Sequence, residues 1–259
     1  MKKHFRSVLI VIVLLGIFAV HSCTKENTTH FFNDKNSSIS DYEQYNIGKL
    51  HNEGCLVILE AVEKFKQKND TLTIAQFDSI VCSIDTIYNL QFLNEIKEKI
   101  KEYCDIKLNY ENALTEIYKR VLIEDTVICP ITIKYFNLID KSLVLYDKDQ
   151  EIKAVINTLE EIQQNVIKNE DVSLENKILL YTTIDLAIHS IILWDSYPST
   201  KLQDLPGTYW ADVSYWVDCS AEGVMDGHSY NHIRKLCLSG SLEASVHYFF
   251  FGVETDPVW

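Results

Sequence analysis

The chain has 259 residues, of which 47% are hydrophobic and 24% charged, with only 8 Gly and 4 Pro. This composition can bury the core of a globular domain and excludes a disordered or fibrous chain. The net charge of −13 becomes −16 without residues 1–22, because the three charges of that segment (Lys2, Lys3 and Arg6) are all basic. Such an acidic body predicts no nucleic-acid partner, since nucleic acid is itself polyanionic.

The first 22 residues have the layout of a secretory signal peptide. Residues 1–6 are basic, and residues 8–20 (VLIVIVLLGIFAV) form an apolar run of 13 residues without a charge. A membrane-spanning helix needs about 20 apolar residues. The run therefore predicts an export signal over residues 1–22 in preference to an uncleaved anchor.

Residues 19–23 (AVHSC) resemble the lipobox of bacterial lipoproteins, in which the cysteine is diacylated and becomes the first residue after cleavage. Ser22 fits that pattern, whereas His21 departs from its usual small or aliphatic residue. The resemblance implies lipidation of Cys23, and several acyl chains on one residue give stable anchoring. Thr24 stands where an inner-membrane retention signal would often place an aspartate, so the resemblance implies the outer membrane of a Gram-negative bacterium.

Residues 24–40 (TKENTTHFFNDKNSSIS) are rich in Thr, Asn, Ser and Lys. This composition predicts a flexible tether, so that residues 23–40 form the lipidated cysteine and its linker. A single folded domain is expected over residues 41–259.

The folded part is predicted to be all-α. No glycine occurs between Gly54 and Gly207, whereas hairpins and sandwiches need Gly, Asn-Gly or Asp-Gly turns at short intervals. We expect one multi-helix, bundle-like domain with a buried central helix and a C-terminal helical hairpin. Apolar spacing predicts a first helix over about 43–68, and Thr73 and Gln76 have the capping-box spacing at the start of a second. Further helices are expected at about 90–105, 110–123, 131–145 and 148–168.

The central helix is predicted over residues 174–196. Its apolar residues lie on all sides, as is typical of a helix buried all round. Ser173 provides an N-terminal cap, and Tyr197-Pro198 ends the helix because a residue before proline avoids the α conformation. The expected core consists of Ile58, Phe77, Ile80, Ile184, Ile188, Ile191 and Trp194.

The last 60 residues predict a helical hairpin. We expect a turn at Pro206-Gly207, then helices of about 209–225 and 229–250 around Asp226-Gly227. This hairpin brings Cys219 and Cys237 together and predicts a disulfide between them, in an exported chain with six cysteines besides Cys23. A weaker alternative is a zinc site in which His228 and His232 join the same two thiolates. The third possibility is that both thiols stay free and packed, as in an organism that lives without oxygen.

Residues 47–54 (IGKLHNEG) resemble a short signature, a glycine followed by Leu-His-Asn, of uncharacterised helical lipoproteins and secreted proteins of bacteria. The resemblance implies no activity. Physically, His51 and Asn52 are polar groups early on an amphipathic helix. We expect them to bond the backbone of a neighbouring loop and fix the helix ends.

Asp185 and His189 lie four residues apart on the central helix, so their side chains meet on one face. A carboxylate beside an imidazole is two-thirds of a hydrolytic triad, which Ser190, Ser196 or Thr182 could complete. The sequence has no Gly-x-Ser-x-Gly nucleophile elbow. A mutually satisfied buried pair is therefore the favoured interpretation.

These patterns predict a lipid-anchored helical protein of the cell envelope that binds a partner rather than catalysing a reaction. It would attach to the membrane through its N-terminal lipid, bind a protein of unknown identity or another envelope component, and need no cofactor. The alternative is an envelope hydrolase that uses His189 with Asp185, or His51.

Overall fold

A computed structural model describes residues 46–69, 72–84, 112–122, 129–147, 151–197, 205–225 and 230–251. All of them belong to one compact unit, residues 37–259. The predicted signal peptide, Cys23 and the tether lie outside the described residues. So do the helix expected at 90–105 and the turn at Asp226-Gly227.

Every secondary-structure element in the described part of the chain is an α-helix, with no strand, which confirms the all-α prediction. Eight helices are described: α1 (Gly48–Lys66), α2 (Ile74–Ile84), α3 (Ala113–Leu122), α4 (Pro130–Asp147), α5 (Ile152–Lys168), α6 (Leu174–Ser196), α7 (Leu205–Met225) and α8 (Tyr230–Phe251).

Helices α2 and α6 begin at the capping residues that the sequence predicts. The Thr73 N–H donates to Gln76 Oε1 at 2.9 Å and the Gln76 N–H donates to Thr73 Oγ1 at 3.3 Å, the reciprocal pair of a capping box. Ser173 Oγ accepts the Asn176 N–H at 3.3 Å at the start of α6. Polar side chains at these points satisfy donors that have no partner inside the helix.

Two predicted boundaries are wrong. The first helix begins at Gly48, after the non-helical Asn46 and Ile47, and not at about 43. The turn expected at Pro206-Gly207 is instead the first turn of α7, which begins at Leu205. Proline is accepted there because the N–H that it lacks would have no helical acceptor in the first turn.

Helix α6 is the centre of the fold. It packs against α1, α4, α5 and α7, and most of its residues are buried. Among the described residues, α6 is the one helix long and apolar enough to cross a membrane, and 78% of that apolar window is buried inside the protein. Its hydrophobicity is therefore accounted for by neighbouring helices, as predicted for a central helix.

The predicted core residues lie where expected, with one exception. Six of the seven are buried, while Ile80 is partly buried and packs against the edge of the core. The polar Asp140 of α4 is also buried, and it accepts the Leu114 and Thr115 N–H groups at 2.9 and 3.0 Å. It thereby caps the first turn of α3 from a neighbouring helix, and burial raises the pKa of its carboxyl to about 6.

Helices α7 and α8 pack closely as a pair. Cys219 and Cys237 form a disulfide between them, with Cα atoms 5.5 Å apart. Gly240 lies against the ring of Tyr215, and a Cβ atom at this glycine would collide with the ring. The close packing of α7 and α8 at this point therefore requires a residue without a side chain at position 240.

Candidate functional site

Four side chains form a buried polar centre where α1, α6 and α7 meet: His51, Ser190, Trp194 and Asp212. His51 Nε2 lies 2.9 Å from Asp212 Oδ1, and both residues are fully buried. The other carboxylate oxygen accepts hydrogen bonds from the Ser190 hydroxyl and from Trp194 Nε1, the latter at 3.1 Å. A single carboxylate thus collects three donors from two helices, as a buried charge requires.

Helix geometry explains this convergence. Ser190 and Trp194 are four residues apart on α6, so their side chains lie on one face and reach the same carboxylate. Asp212 is supplied by α7, and its own carbonyl oxygen accepts the Ser241 hydroxyl of α8 at 2.9 Å. Four helices are therefore linked through one aspartate residue.

The surroundings of His51 favour its charged form. Burial opposes a charge on His51, but the Asp212 carboxylate and the nearby Cys55 more than offset it, so the pKa of the imidazole is raised well above its ordinary value. The direction of this shift favours the protonated imidazole, and the second oxygen of the Asp212 side chain accepts two further donors. Removing one member would leave an uncompensated charge in the core.

Cys55 lies one turn after His51, and its side chain is fully buried. Its Sγ is 3.8 Å from Nδ1 and 3.7 Å from Nε2 of His51. Because the sulfur is nearly equidistant from the two ring nitrogens, it lies on the lone-pair axis of neither. This differs from a nucleophilic Cys–His pair, in which the thiol hydrogen-bonds directly to one nitrogen.

The predicted Asp185–His189 pair lies nearer the surface, between α6 and the start of α1. His189 Nδ1 is 3.4 Å from Asp185 Oδ1 and 2.9 Å from the Asp185 carbonyl oxygen. A carbonyl oxygen only accepts, so Nδ1 carries the proton. The hydrogen bond and charge of Asp185 raise the pKa of His189 although partial burial opposes the shift, and 33% of the His189 side chain is exposed.

Two hydrogen bonds attach the start of α1 to Asp185 and His189. The Gly48 N–H donates to Asp185 Oδ2 at 2.7 Å, and Asn52 Nδ2 donates to the His189 carbonyl oxygen at 2.8 Å. A Cβ atom at position 48 would lie 2.5 Å from the Asp185 carbonyl oxygen and 2.6 Å from His189 Nδ1. Only glycine allows the two helices to approach this closely.

The Leu-His-Asn segment therefore acts differently from expectation. His51 and Asn52 bond to other helices, α7 and α6, and not to the backbone of a loop. They hold α1 against the bundle along its first turn. The role of Gly48 was not predicted, although a glycine at the start of an apolar helical pattern is a recognisable signal of close backbone approach.

The hydroxyls considered for a triad all bond elsewhere. Ser190 donates to Asp212, Ser196 to the Leu193 carbonyl at 3.1 Å, and Thr182 to the Ile178 carbonyl at 2.8 Å. In the described part of the chain, the hydrogen-bond partner of the His189 ring is Asp185 alone.

The predicted cysteine pair is present, and it decides against the zinc alternative. Both thiols are consumed in the Cys219–Cys237 disulfide, so neither can be a thiolate ligand. His228 lies outside the described residues, and the side chain of His232 is likewise not described. Among the described residues, no group of three or more His, Cys, Asp or Glu side chains could hold a metal ion.

Comparison with protein-family models, curated proteins and solved structures found no match for this chain. The fold and the site therefore define its class: an all-α protein with a central apolar helix, whose first helix is attached through a buried histidine–aspartate pair.

Proposed function

We propose that the protein is a lipid-anchored component of the cell envelope, in the outer membrane, whose helical domain binds a protein partner. The observation that carries the binding role is an exposed apolar site on adjacent helices, which we call the α1–α6 face. It consists of Leu56, His189 and Ile192. Leu56 and Ile192 are 47% and 44% exposed, and they belong to two helices that pack against each other. Apolar groups that are exposed close together are what a binding surface offers.

The two apolar residues lie at the same level of two packed helices. Helices α1 and α6 run in the same direction, because Gly48 bonds to Asp185 near one end and the Tyr197 hydroxyl donates to Glu63 near the other. From the Asn52–His189 contact, Leu56 is about 6 Å further along α1 and Ile192 about 4.5 Å further along α6. They therefore occupy the same level on two packed helices.

The α1–α6 face is held rigidly from beneath. Asp185 fixes the start of α1, Asn52 bonds the backbone of His189, and the polar centre joins both helices to α7. A surface that needs no ordering when a partner arrives retains more of its contact energy as affinity. This rigidity supports a binding role for the exposed apolar side chains.

The anchor has a direct test. Cells supplied with a clickable palmitate analogue should label the wild-type protein, and Cys23→Ser should abolish the label, because Cys23 is the proposed acceptor. The unlabelled variant should also leave the membrane fraction. Release of unmodified wild-type protein into the soluble fraction would contradict the anchor and the localisation together.

The binding role is tested by site-specific photo-crosslinking in living cells. A photoreactive amino acid at position 56 or 192 should give the same discrete higher-mass adduct. Position 138 is the matched control, since Leu138 on α4 is another exposed large apolar residue at 37%. Adducts of equal yield from all three positions, or from none, would contradict a specific partner at the α1–α6 face.

An envelope hydrolase using His189 with Asp185 ranks second. The favourable observation is the protonated Nδ1, which leaves Nε2 as the basic nitrogen of the neutral ring. Ester turnover that His189→Ala abolishes, with helicity unchanged, would favour this alternative over a binding role. His51, the other histidine considered for catalysis, is fully buried in its pair with Asp212.

A further inference from the structure

We infer that the partner element recognised by the α1–α6 face is a cationic amphipathic helix. This inference rests on the proposed binding function and adds the chemistry of the partner. It follows from the charges that surround the two exposed apolar residues and from the arrangement of the two helices.

The rim of the α1–α6 face is acidic. Leu56 has a glutamate one turn before it and another one turn after it on the exposed side of α1, and Ile192 is followed by an exposed aspartate on α6. The exposed acidic residues of this rim are Glu53, Glu60, Glu63 and Asp195, against two exposed lysines, Lys49 and Lys64. The exposed Lys66 of α1 lies instead over the Phe250 ring of α8. Lys64 is already paired with Glu60 at 2.5 Å. The face therefore presents an apolar centre within an excess of negative charge.

The imidazole of His189 does not reverse this balance. Asp185 lies behind the ring, with Oδ1 3.4 Å from Nδ1, so a proton gained by His189 is matched by that carboxylate. Other charged side chains close to the pair are Asp212 and His51, which neutralise each other in the polar centre. The α1–α6 face therefore keeps the net negative charge of its acidic rim when a partner approaches.

The shape of the surface favours a helix as the partner element. Two parallel packed helices leave a shallow groove along their seam, and axes of packed helices are about 8–10 Å apart. A third helix lying along the seam would place apolar side chains at positions i, i+3 or i+4 and i+7 against Leu56 and Ile192. Lysine or arginine on its flanks would then meet the acidic rim on either side.

The probe for this inference is an 18-residue synthetic peptide built from leucine and lysine, with leucine at helical spacing and a fluorescent label. The full chain is held in phosphatidylcholine nanodiscs, with empty nanodiscs as the blank, and binding is followed by fluorescence anisotropy. A peptide with the same leucine spacing and glutamate in place of lysine is the matched control. We expect saturable binding of the lysine peptide, weakened by salt, and none of the glutamate peptide.

Variants then locate the site. The double substitution Leu56→Ser with Ile192→Ser should weaken binding about tenfold or more, since both apolar anchors are lost. The control Leu138→Ser should bind as the wild type does. Glu53→Gln with Asp195→Asn should weaken binding and flatten its salt dependence while circular dichroism remains unchanged.

Several results would overturn the inference. Equal binding of the two peptides, absence of binding, or an equal loss in Leu138→Ser would each exclude a cationic helix at this face. If the lysine peptide fails while position 56 still crosslinks in cells, the partner class is wrong and the binding function stands. Binding of the chain to anionic vesicles through the same residues would instead indicate a lipid surface and contradict the helix partner.

Discussion

Replacing Asp212 with asparagine is expected to lower the free energy of unfolding by about 3–5 kcal/mol, the usual cost of removing one member of a buried ion pair. The substitution is nearly isosteric, so the loss reports charge and hydrogen bonding and not a cavity. His51 would keep its burial and lose the carboxylate that stabilises its charge, while Ser190 and Trp194 would lose an anionic acceptor. Urea denaturation followed by circular dichroism measures the effect.

The matched control is Asp195→Asn, an exposed carboxylate on α6. It should change the free energy of unfolding by less than about 0.5 kcal/mol. A double-mutant cycle with His51→Gln separates the pair from its surroundings, and the two single losses should not add because both variants break the same contact. A loss below about 1 kcal/mol for Asp212→Asn would contradict a buried ion pair.

The His51–Asp212 pair should also make the stability of the protein depend on pH. The pKa of His51 is raised above its ordinary value in the folded state, so the stability it contributes is fully present below the unfolded pKa. That contribution is lost as the pH rises through the folded-state pKa. In Asp212→Asn the pKa of His51 should fall, because burial alone disfavours the charged ring. Nuclear magnetic resonance titration of the imidazole distinguishes the two cases, and an unchanged pKa would exclude the coupling.

Truncation of Trp194 to alanine is expected to cost about 3–5 kcal/mol, as for large aromatic residues in well-packed cores. Trp194 is fully buried, stacks on Phe249 with ring centroids 5.1 Å apart, and donates to Asp212. Trp194→Phe keeps an aromatic ring and removes the donor, so its smaller loss reports the hydrogen bond. Thermal and urea unfolding of both variants provide the measurement.

Ile192→Ala on the same helix is the control, since that side chain is 44% exposed. It should change the stability by less than about 0.5 kcal/mol. Similar losses for Trp194→Ala and Ile192→Ala would mean that α6 does not separate a buried side from the exposed α1–α6 face. That outcome would weaken the central position of α6 and the binding proposal together.

Local patterns predicted the central helix well. The bounds of α6 match the prediction because its two ends carry separate local signals, the Ser173 cap and the proline after Tyr197. Its apolar residues on every side also predicted burial. The first turn of α7 was misplaced because proline and glycine are read as turn formers, although proline suits the start of a helix equally well.

The polar centre could not be predicted from local sequence patterns. His51 and Asp212 are 161 positions apart, and no local spacing connects them. Asp212 is an acidic residue between the aromatic pairs Tyr209-Trp210 and Tyr215-Trp216 of α7. Such surroundings indicate that it needs a partner, but not which residue that partner is. Asp185 and His189 were paired correctly because both lie on one helix, whereas the contribution of Gly48 depends on a helix 137 positions away.

These long separations bear on how the chain completes its fold. The first described helix finds its ionic partner on α7, so a nascent chain that has produced only α1 to α6 holds a histidine without its carboxylate. Contacts of such high sequence separation form slowly, because a large loop must close before they contribute stability. The domain thus finishes folding only after nearly all of it has been synthesised. Under the export that we propose, the chain would cross a membrane before this late contact forms, and the delay would keep it unfolded for that passage.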